Sequence, residues 1–468
     1  MSTPPAVVER TRWSAVIALG LAVFVAGLDM TIVATALPAM GAELGVAPST
    51  LQWVVLTYSI PMVGLAVGAG RWLDVVNPRA AFALGAIGFA LASIAAGLAP
   101  LFTVLVVARV AQGAFGAVLS ASVFPIAALV VVPARRGRAL GVIGTIGPLG
   151  SVLGPAGGGL IVAAADWRWV FLVNIPLCAC LVILAWRSVP SAGRLRWPGG
   201  TVVVDVVLTA GAALALLLAI QRAAHGFDLT VLALTLAAAA LAAVWLRLRH
   251  SAPIRRALAT WKLSGQFLAL LLTSTIGGAV YFIVPFAASR TLELDPAATG
   301  LALLGMPLGI AAAAQVGGRL SDRVGPKPAA LIGAALMVIG AASLLVLDSD
   351  WSAIDLTIRL FIIGVGGGLF SAPNLSAIMS ATPPALFGVT SGLSTLFRTL
   401  GFALGPAIGA ALWSGASSAE VYRPAFIAIT ALPVVAIGIL ATITQKARES
   451  SAGSGPVTRV QGGADDAV

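Results

Sequence analysis

The chain has 468 residues, of which 59% are hydrophobic and only 10% charged. A soluble domain carries about 25% charged residues and cannot hide this much apolar surface, so the composition excludes an ordinary soluble enzyme or binding module and leaves a membrane protein. The formal net charge of +11 would fit a nucleic-acid binder, but the positions of the basic residues along the chain exclude that reading.

Crossing a bilayer as a helix takes about 20 mostly apolar residues. The first run that qualifies, Trp13 to Pro38, contains Asp29 and is too long for a cleavable signal sequence. A carboxylate near the middle of a bilayer is costly and usually functional. In chain order the spans fall near 14–38, 50–70, 79–98, 101–131, 138–163, 168–187, 201–221, 229–248, 263–289, 298–318, 326–347, 354–380, 385–414 and 424–444, which makes fourteen. Cys178 and Cys180 share one run and, two residues apart, face different sides of a helix, so they read as packing and not as a disulfide or metal site.

An even number of spans puts both termini on one side. That side collects 21 of the 28 basic residues, whereas the other has four and carries nine acids. The positive-inside rule makes the basic side, and both termini, cytoplasmic, and accounts for the charge without nucleic acid. Arg outnumbers Lys 25 to 3 in an Ala-rich chain, a composition that points to a high-GC bacterial genome. Residues 1–12 form a cytoplasmic tail, and residues 446–468, rich in Gly, Ser, Ala and charge, read as a disordered one.

The two ends of the chain repeat each other. Gly70-Arg71-Trp72-Leu73-Asp74 with Pro78 and Arg79 matches Gly318-Arg319-Leu320-Ser321-Asp322 with Pro326 and Lys327, at an offset of 248. Leu153-Gly154-Pro155 matches Leu404-Gly405-Pro406 at 251, and Arg109 matches Arg359 at 250. Two six-helix bundles follow, 13–190 and 261–445, with an inserted helix pair over 191–260 that has no repeat partner. Mirrored halves suit a transporter whose substrate site lies between them.

Several segments resemble the major facilitator superfamily, specifically its 14-span drug:proton antiporter branch. Leu28-Asp29-Met30-Thr31-Ile32-Val33 through Ala36-Leu37-Pro38 is similar to that branch's first-helix motif, with Ala34 where the family usually has Asn. Gly70 to Arg79 resembles the loop motif between the second and third helices, with Val75 and Asn77 in place of the usual basic residue and Gly; Gly318 to Gly325 is the closer copy. Arg109-Val110-Ala111-Gln112-Gly113, Gly147 to Gly159 and Phe397-Arg398-Thr399-Leu400-Gly401 resemble further motifs of the branch. The resemblance implies an all-α membrane protein of the major facilitator fold, two six-helix bundles plus two extra transmembrane helices. It also implies a gate latch at Asp74, Arg79, Asp322 and Arg323, for which ordinary surface capping is the alternative.

Counting from the outer face at 1.5 Å per residue puts Asp29 and Arg109 both about 12–14 Å deep, so the first and fourth spans can pair opposite charges in a low-dielectric site. Such a pair is either a proton-coupling element or a static tie between two helices. Arg109, Gln112, Gly113, Gly116 and Ser120 form one small, polar stripe, and Gln266, Thr273, Gly277 and Tyr281 form another. With Met30, Phe370 and Asn374 they are candidates to line a central cavity, with helix packing as the alternative. Gly141, Gly144, Gly147, Gly150 and Gly154 leave one face of the fifth span bare for a close neighbour, while Pro148 and Pro155 bend it, which reads as a hinge and seal. Arg398 sits near mid-depth with no acid at its level in the second half, and either bonds backbone carbonyls or meets an anionic substrate group. Asp205 in the inserted pair is a candidate partner for a cytoplasmic Arg.

The expected function is proton-driven export of small amphipathic or cationic compounds by a monomer in the plasma membrane, powered by the proton gradient and without a cofactor. The alternative is a dedicated transporter of one metabolite or self-produced antibiotic. No nucleotide-binding glycine loop, metal-ligand cluster or nucleophile–base constellation supports an enzyme.

Overall fold

The computed structural model describes residues 11–452 apart from 74–75, 133–134, 192, 224–225, 384–386 and 414–418. The described chain is helical. The first group runs α1 (Trp13–Leu44), α2 (Pro48–Leu73), α3 (Pro78–Gly97), α4 (Phe102–Ala121), α5 (Val123–Val130), α6 (Arg136–Ala164), α7 (Trp169–Leu172) and α8 (Asn174–Ser188). Then come α9 (Gly200–Ala223), α10 (Leu229–Arg247) and α11 (Ala252–Ala259). The second group is α12 (Trp261–Arg290), α13 (Pro296–Leu303), α14 (Gly305–Val324), α15 (Pro326–Ser343), α16 (Ala353–Ala381), α17 (Phe387–Leu412) and α18 (Arg423–Ala452).

Three expected spans are each broken into two helices, and the breaks share a cause. Helices α4, α7 and α13 stop at Ala121, Leu172 and Leu303, four residues before Pro125, Pro176 and Pro307. A proline has no N–H for the carbonyl four residues back, and its ring clashes there. At the first break the Ser122 hydroxyl donates to the Val118 carbonyl, 2.7 Å away, beside the Ser122 N–H.

Twelve helices among the described residues, each piece across these breaks joined, are long and apolar enough to cross a membrane, two fewer than the fourteen spans expected. Both members of the inserted pair are among the twelve. The missing two are the segments expected near 50–70 and 138–163. Both are helical, as α2 and α6, and within α6 the described stretch Leu149–Ala164 is apolar.

Glycines set the packing of the long helices. On α6, a Cβ at Gly147 would meet Val23, at Gly150 the Phe24 carbonyl, at Gly154 Thr31, and at Gly158 Ile32 and Thr35, so α6 lies along α1 with almost no side chains between. Gly401, Gly405 and Gly409 bring α17 onto Leu271, Thr275 to Ala279, and Phe282 to Ile283 of α12 in the same way. The two copies of the repeated loop solve one turn differently. Gly325 adopts φ +91°, which favours glycine, whereas Asn77 at φ −62° caps α3 by accepting from the Ala80 N–H at 3.2 Å.

The bundle has two unlike ends. At the end distant from the N-terminus, one continuous apolar core joins Leu28, Leu37, Met40 and Val54 of the first group to Phe282, Phe286, Leu303 and Leu360 of the second. Backbone meets backbone there, because a Cβ on Gly159 of α6 would lie 2.9 Å from Gly300 Cα of α13. Towards the N-terminal end the cores part. Val16, Leu19, Phe82 and Leu181 form one cluster, and Ala269, Ala330, Phe370 and Leu440 another. The groups are therefore sealed to each other across the far end, while towards the near end they meet along α2, where Val63 shares a core with Phe267, Ile378 and Leu393.

Helix α9 lies over the seam between the groups, where Leu217 shares a core with Leu56 of α2 and with Ala403, Leu404 and Ala407 of α17. Its Thr209 hydroxyl donates to the Gly64 carbonyl of α2 at 3.1 Å. Helix α10 packs on α9. Asp228 caps α10, accepting from the Val231 N–H at 2.9 Å and from Arg222 at 2.7 Å, and these donors hold its carboxyl below the usual carboxylate range.

Candidate functional site

Helix α1 carries Asp29 into the interior of the first group, where the residue is completely buried. Arg109 of α4, 1% exposed, donates from Nη1 to Asp29 Oδ2 at 2.6 Å. The other carboxylate oxygen, Oδ1, accepts from Gln112 Nε2 at 2.8 Å and from Asn174 Nδ2 of α8 at 3.0 Å. Arg109 is itself shared. It donates from Nε to the Val54 carbonyl of α2 at 2.8 Å and from Nη1 to Gln112 Oε1 at 2.7 Å, and its guanidinium lies 4.3 Å from the centre of the Tyr58 ring. Gln112 Nε2 also donates to Ser93 of α3 at 2.8 Å. Five helices thus converge on one ion pair.

Burial of both charges is tolerable because each is hydrogen-bonded beyond its partner. The Asp29 carboxylate has three donors, and Arg109 has two acceptors besides Asp29. If Asp29 took up a proton, Arg109 would keep the Val54 carbonyl, the Gln112 amide oxygen and the Tyr58 face.

The sequence foresaw the meeting of Asp29 and Arg109, but not Asn174, Ser93, Tyr58 or the Val54 carbonyl. Asn174 is the lone amide of its apolar run, the same kind of signal that singled out Asp29. Gln112 and Gly116, expected to line the cavity, do not. Gln112 is spent on Asp29, and a Cβ on Gly116 would sit 3.2 Å from the Tyr58 hydroxyl and 3.3 Å from Phe89. Ser120 is half-buried, and half-buried Met30 packs against the first group's core.

In the second group Phe370 belongs to the apolar core with Ala330 and Leu440, not to a cavity wall. The Thr273 hydroxyl is spent on the Ala269 carbonyl of its own helix, 2.9 Å away. Tyr281 is buried 6.1 Å from the Phe402 ring. Asn374 Nδ2 donates to the Gln266 carbonyl at 3.4 Å, and both side-chain amide oxygens lack a partner. Gln266 also borders a cavity of about 270 Å³ with Lys262 and Lys327. Arg398 is exposed midway along α17.

Arg359, the repeat mate of Arg109, meets no acid on α12. It lies 3.7 Å from Asp355 on its own helix and stacks 3.7 Å from the Trp351 ring. The repeat therefore keeps the position while the chemistry is one-sided.

Of the expected gate residues, Asp74 lies outside the described residues, and the side chains of Asp322 and Pro148 are not described. Arg79 donates from Nε to the Val189 carbonyl after α8 at 2.7 Å, and Arg323 is exposed. Gly147 and Gly154 form the α1 contact, and the Pro155 carbonyl faces Gly300 at the far-end seam. Asp205 is fully buried and accepts from Trp245 Nε1 at 3.0 Å, with His250 Nε2 at 2.8 Å. Cys178 is buried and Cys180 exposed, and neither is in a disulfide.

The sequence profile of the Major Facilitator Superfamily matches residues 19–406 and 263–461. The chain is 31% identical to the puromycin resistance protein pur8 of Streptomyces alboniger, over 88% of this chain and 84% of that protein. It is likewise 31% identical to the cephamycin export protein CmcT of Amycolatopsis lactamdurans, over 92% of each. The drug efflux pump JefA of Mycobacterium tuberculosis (strain CDC 1551 / Oshkosh) is 32% identical, over 86% of this chain and 81% of that one. Among solved structures, a bacterial homologue of the lysosomal transporter Spinster superposes with a TM-score of 0.70 at 14% identity, covering 94% of this chain and 98% of that one, which shows a shared fold. An interior charge pair, a far-end seal between two helical groups and these matches agree, and the chain belongs to the Major Facilitator Superfamily, as a transporter and not an enzyme.

Proposed function

We propose that this protein is a proton-coupled antiporter that exports small amphipathic compounds by alternating access, with Asp29 as the coupling acid. The observation that carries the reading is the completely buried Asp29 with its three donors, held beside an Arg109 that keeps other acceptors. Such a pair has two arrangements open to it: ionised and closed, or protonated with Arg109 resting on Val54, Gln112 and Tyr58. A group of this kind exchanges a proton when water reaches it and commits the helices around it when water leaves. The direction of transport is taken from the relatives named for resistance, export and efflux.

In this reading α2 and α6 also cross the bilayer, giving fourteen spans in two six-helix bundles plus the α9–α10 pair. Their lengthwise packing against α4 and against α1 supports this, since a helix packed along a spanning neighbour shares its depth. Both termini lie in the cytoplasm of a bacterial cell, the far-end seal is the outer gate, and the working unit is a monomer driven by the proton gradient.

Complete burial of Asp29 in this conformation favours a second reading, in which the pair is a fixed tie. The two separate in vesicles with an imposed pH gradient. Asp29→Asn keeps the hydrogen-bonding shape but cannot ionise. Coupling by Asp29 requires that uphill efflux be lost while downhill exchange persists. Uphill efflux at the wild-type rate would leave only the fixed tie.

A further inference from the structure

Arg398 stands midway along α17. Its side chain is exposed, and it shares a helix face with Phe402, which packs 6.1 Å from Tyr281 against the core joining the two groups, so that it points into the molecule and is enclosed by it. A side chain on the lipid-facing surface is exposed without being enclosed, and a core side chain is enclosed without being exposed. Both conditions hold together where an internal, water-filled space reaches the centre of the molecule. The neighbouring positions show the contrast. Phe397 stacks 5.3 Å from Phe267, Thr399 is buried, and Gly401 presses on Leu271 of α12.

Arg398 has no hydrogen bond or ion pair with any described residue, which removes the backbone-carbonyl alternative. Nor does an acid among the described residues answer it. Asp29 is sealed and committed to three donors, Asp205 is buried with Trp245 and His250, and Asp355 is paired near the start of α16 with Arg359 and Ser352. The cavity therefore presents one guanidinium without a counter-charge. While the cavity is empty, water solvates it. A substrate that enters displaces that water and lowers the local dielectric. A cationic substrate, or an uncharged one without an acceptor at that place, would strip the hydration and return nothing, which is costly. A planar anionic group returns it as paired N–H···O bonds that the guanidinium fork fits.

We infer that the central cavity selects amphipathic compounds bearing an acidic group, a carboxylate or phosphate ester, with Arg398 as the contact. This rests on the transporter reading of the preceding section and narrows it, replacing the expectation of cationic cargo.

The test uses the full chain in nanodiscs without any gradient, so that binding is read separately from coupling. Two xanthene dyes of opposite charge serve as probes, carboxyfluorescein and tetramethylrhodamine methyl ester, and fluorescence anisotropy gives their affinities. The wild type should bind carboxyfluorescein the more tightly. Arg398→Gln should weaken carboxyfluorescein about tenfold or more, the scale of one hydrogen-bonded charge, and leave the rhodamine unchanged or tighter. Arg398→Lys should fall between. The ratio of the two affinities controls for misfolding, which weakens both. Failure of the wild type to bind carboxyfluorescein, or an affinity ratio unchanged in both Arg398→Gln and Arg398→Lys, overturns the proposal. Uphill efflux that survives Asp29→Asn, with this binding pattern intact, would count against Asp29 coupling alone.

Discussion

Asn174 donates its amide Nδ2 to Asp29 Oδ1 at 3.0 Å, tying α8 to α1 inside the first helical group, while the Asn174 Oδ1 has no partner. Its single bond holds a carboxylate that is otherwise shared between two residues of α4. Asn174→Leu leaves that oxygen with one donor fewer in a dry site, at a cost of about 1–3 kcal/mol. Asn174→Asp should cost more, because a second carboxylate then faces the first. Thermal unfolding of the purified protein should rank wild type above Asn174→Leu above Asn174→Asp. An Asn174→Asp protein as stable as the wild type would show that Asp29 does not depend on this donor.

The seam between Gly159 and Gly300 admits no side chain, so a valine there should wedge the far end open. In a background with Cys178 and Cys180 replaced, a cysteine at Leu303, one turn beyond Gly300 on the same helix face and buried in the joining core, reports its opening. Gly159→Val should raise the reactivity of that cysteine towards a membrane-impermeant maleimide several-fold, by shifting the population towards a conformer open at that end. Gly157, where a Cβ would meet nothing within 4 Å, should tolerate Ala without change. Equal labelling in wild type and Gly159→Val would mean that this contact is not a gate.

Helix α10 is fastened to α9 through Asp205, which accepts from Trp245 at 3.0 Å. Trp245→Phe keeps an aromatic ring and removes the donor, at about 1–3 kcal/mol for a charged acceptor. Hydrogen exchange should rise in α10 and the 249–259 segment while α1 to α8 stay as protected as before. A uniform rise across the chain would mean instead that the pair supports the whole bundle.

The sequence brought Asp29 and Arg109 to one depth because helix rise is fixed and both were counted from the outer ends of their spans, at Pro38 and Leu101. The same arithmetic placed Arg398 at mid-depth. It misplaced Gln112, Thr273 and Phe370, because a polar or aromatic residue on a helical stripe can serve a cavity, its own helix or the core equally well. Only the neighbour decides, and neighbours come from other helices.

Composition, periodicity and the offset repeat thus determined the class, the mirrored plan and the one acid that matters in the first group, since these follow from local transfer energies and from helix geometry. Tertiary structure decided that Asn174 and Ser93 complete the charge cluster, that α9 covers the seam between the groups, that the far end is the closed one, and that Arg398 is exposed without a partner among the described residues. Those facts depend on which surfaces exclude water from each other, and no single stretch of chain contains that information.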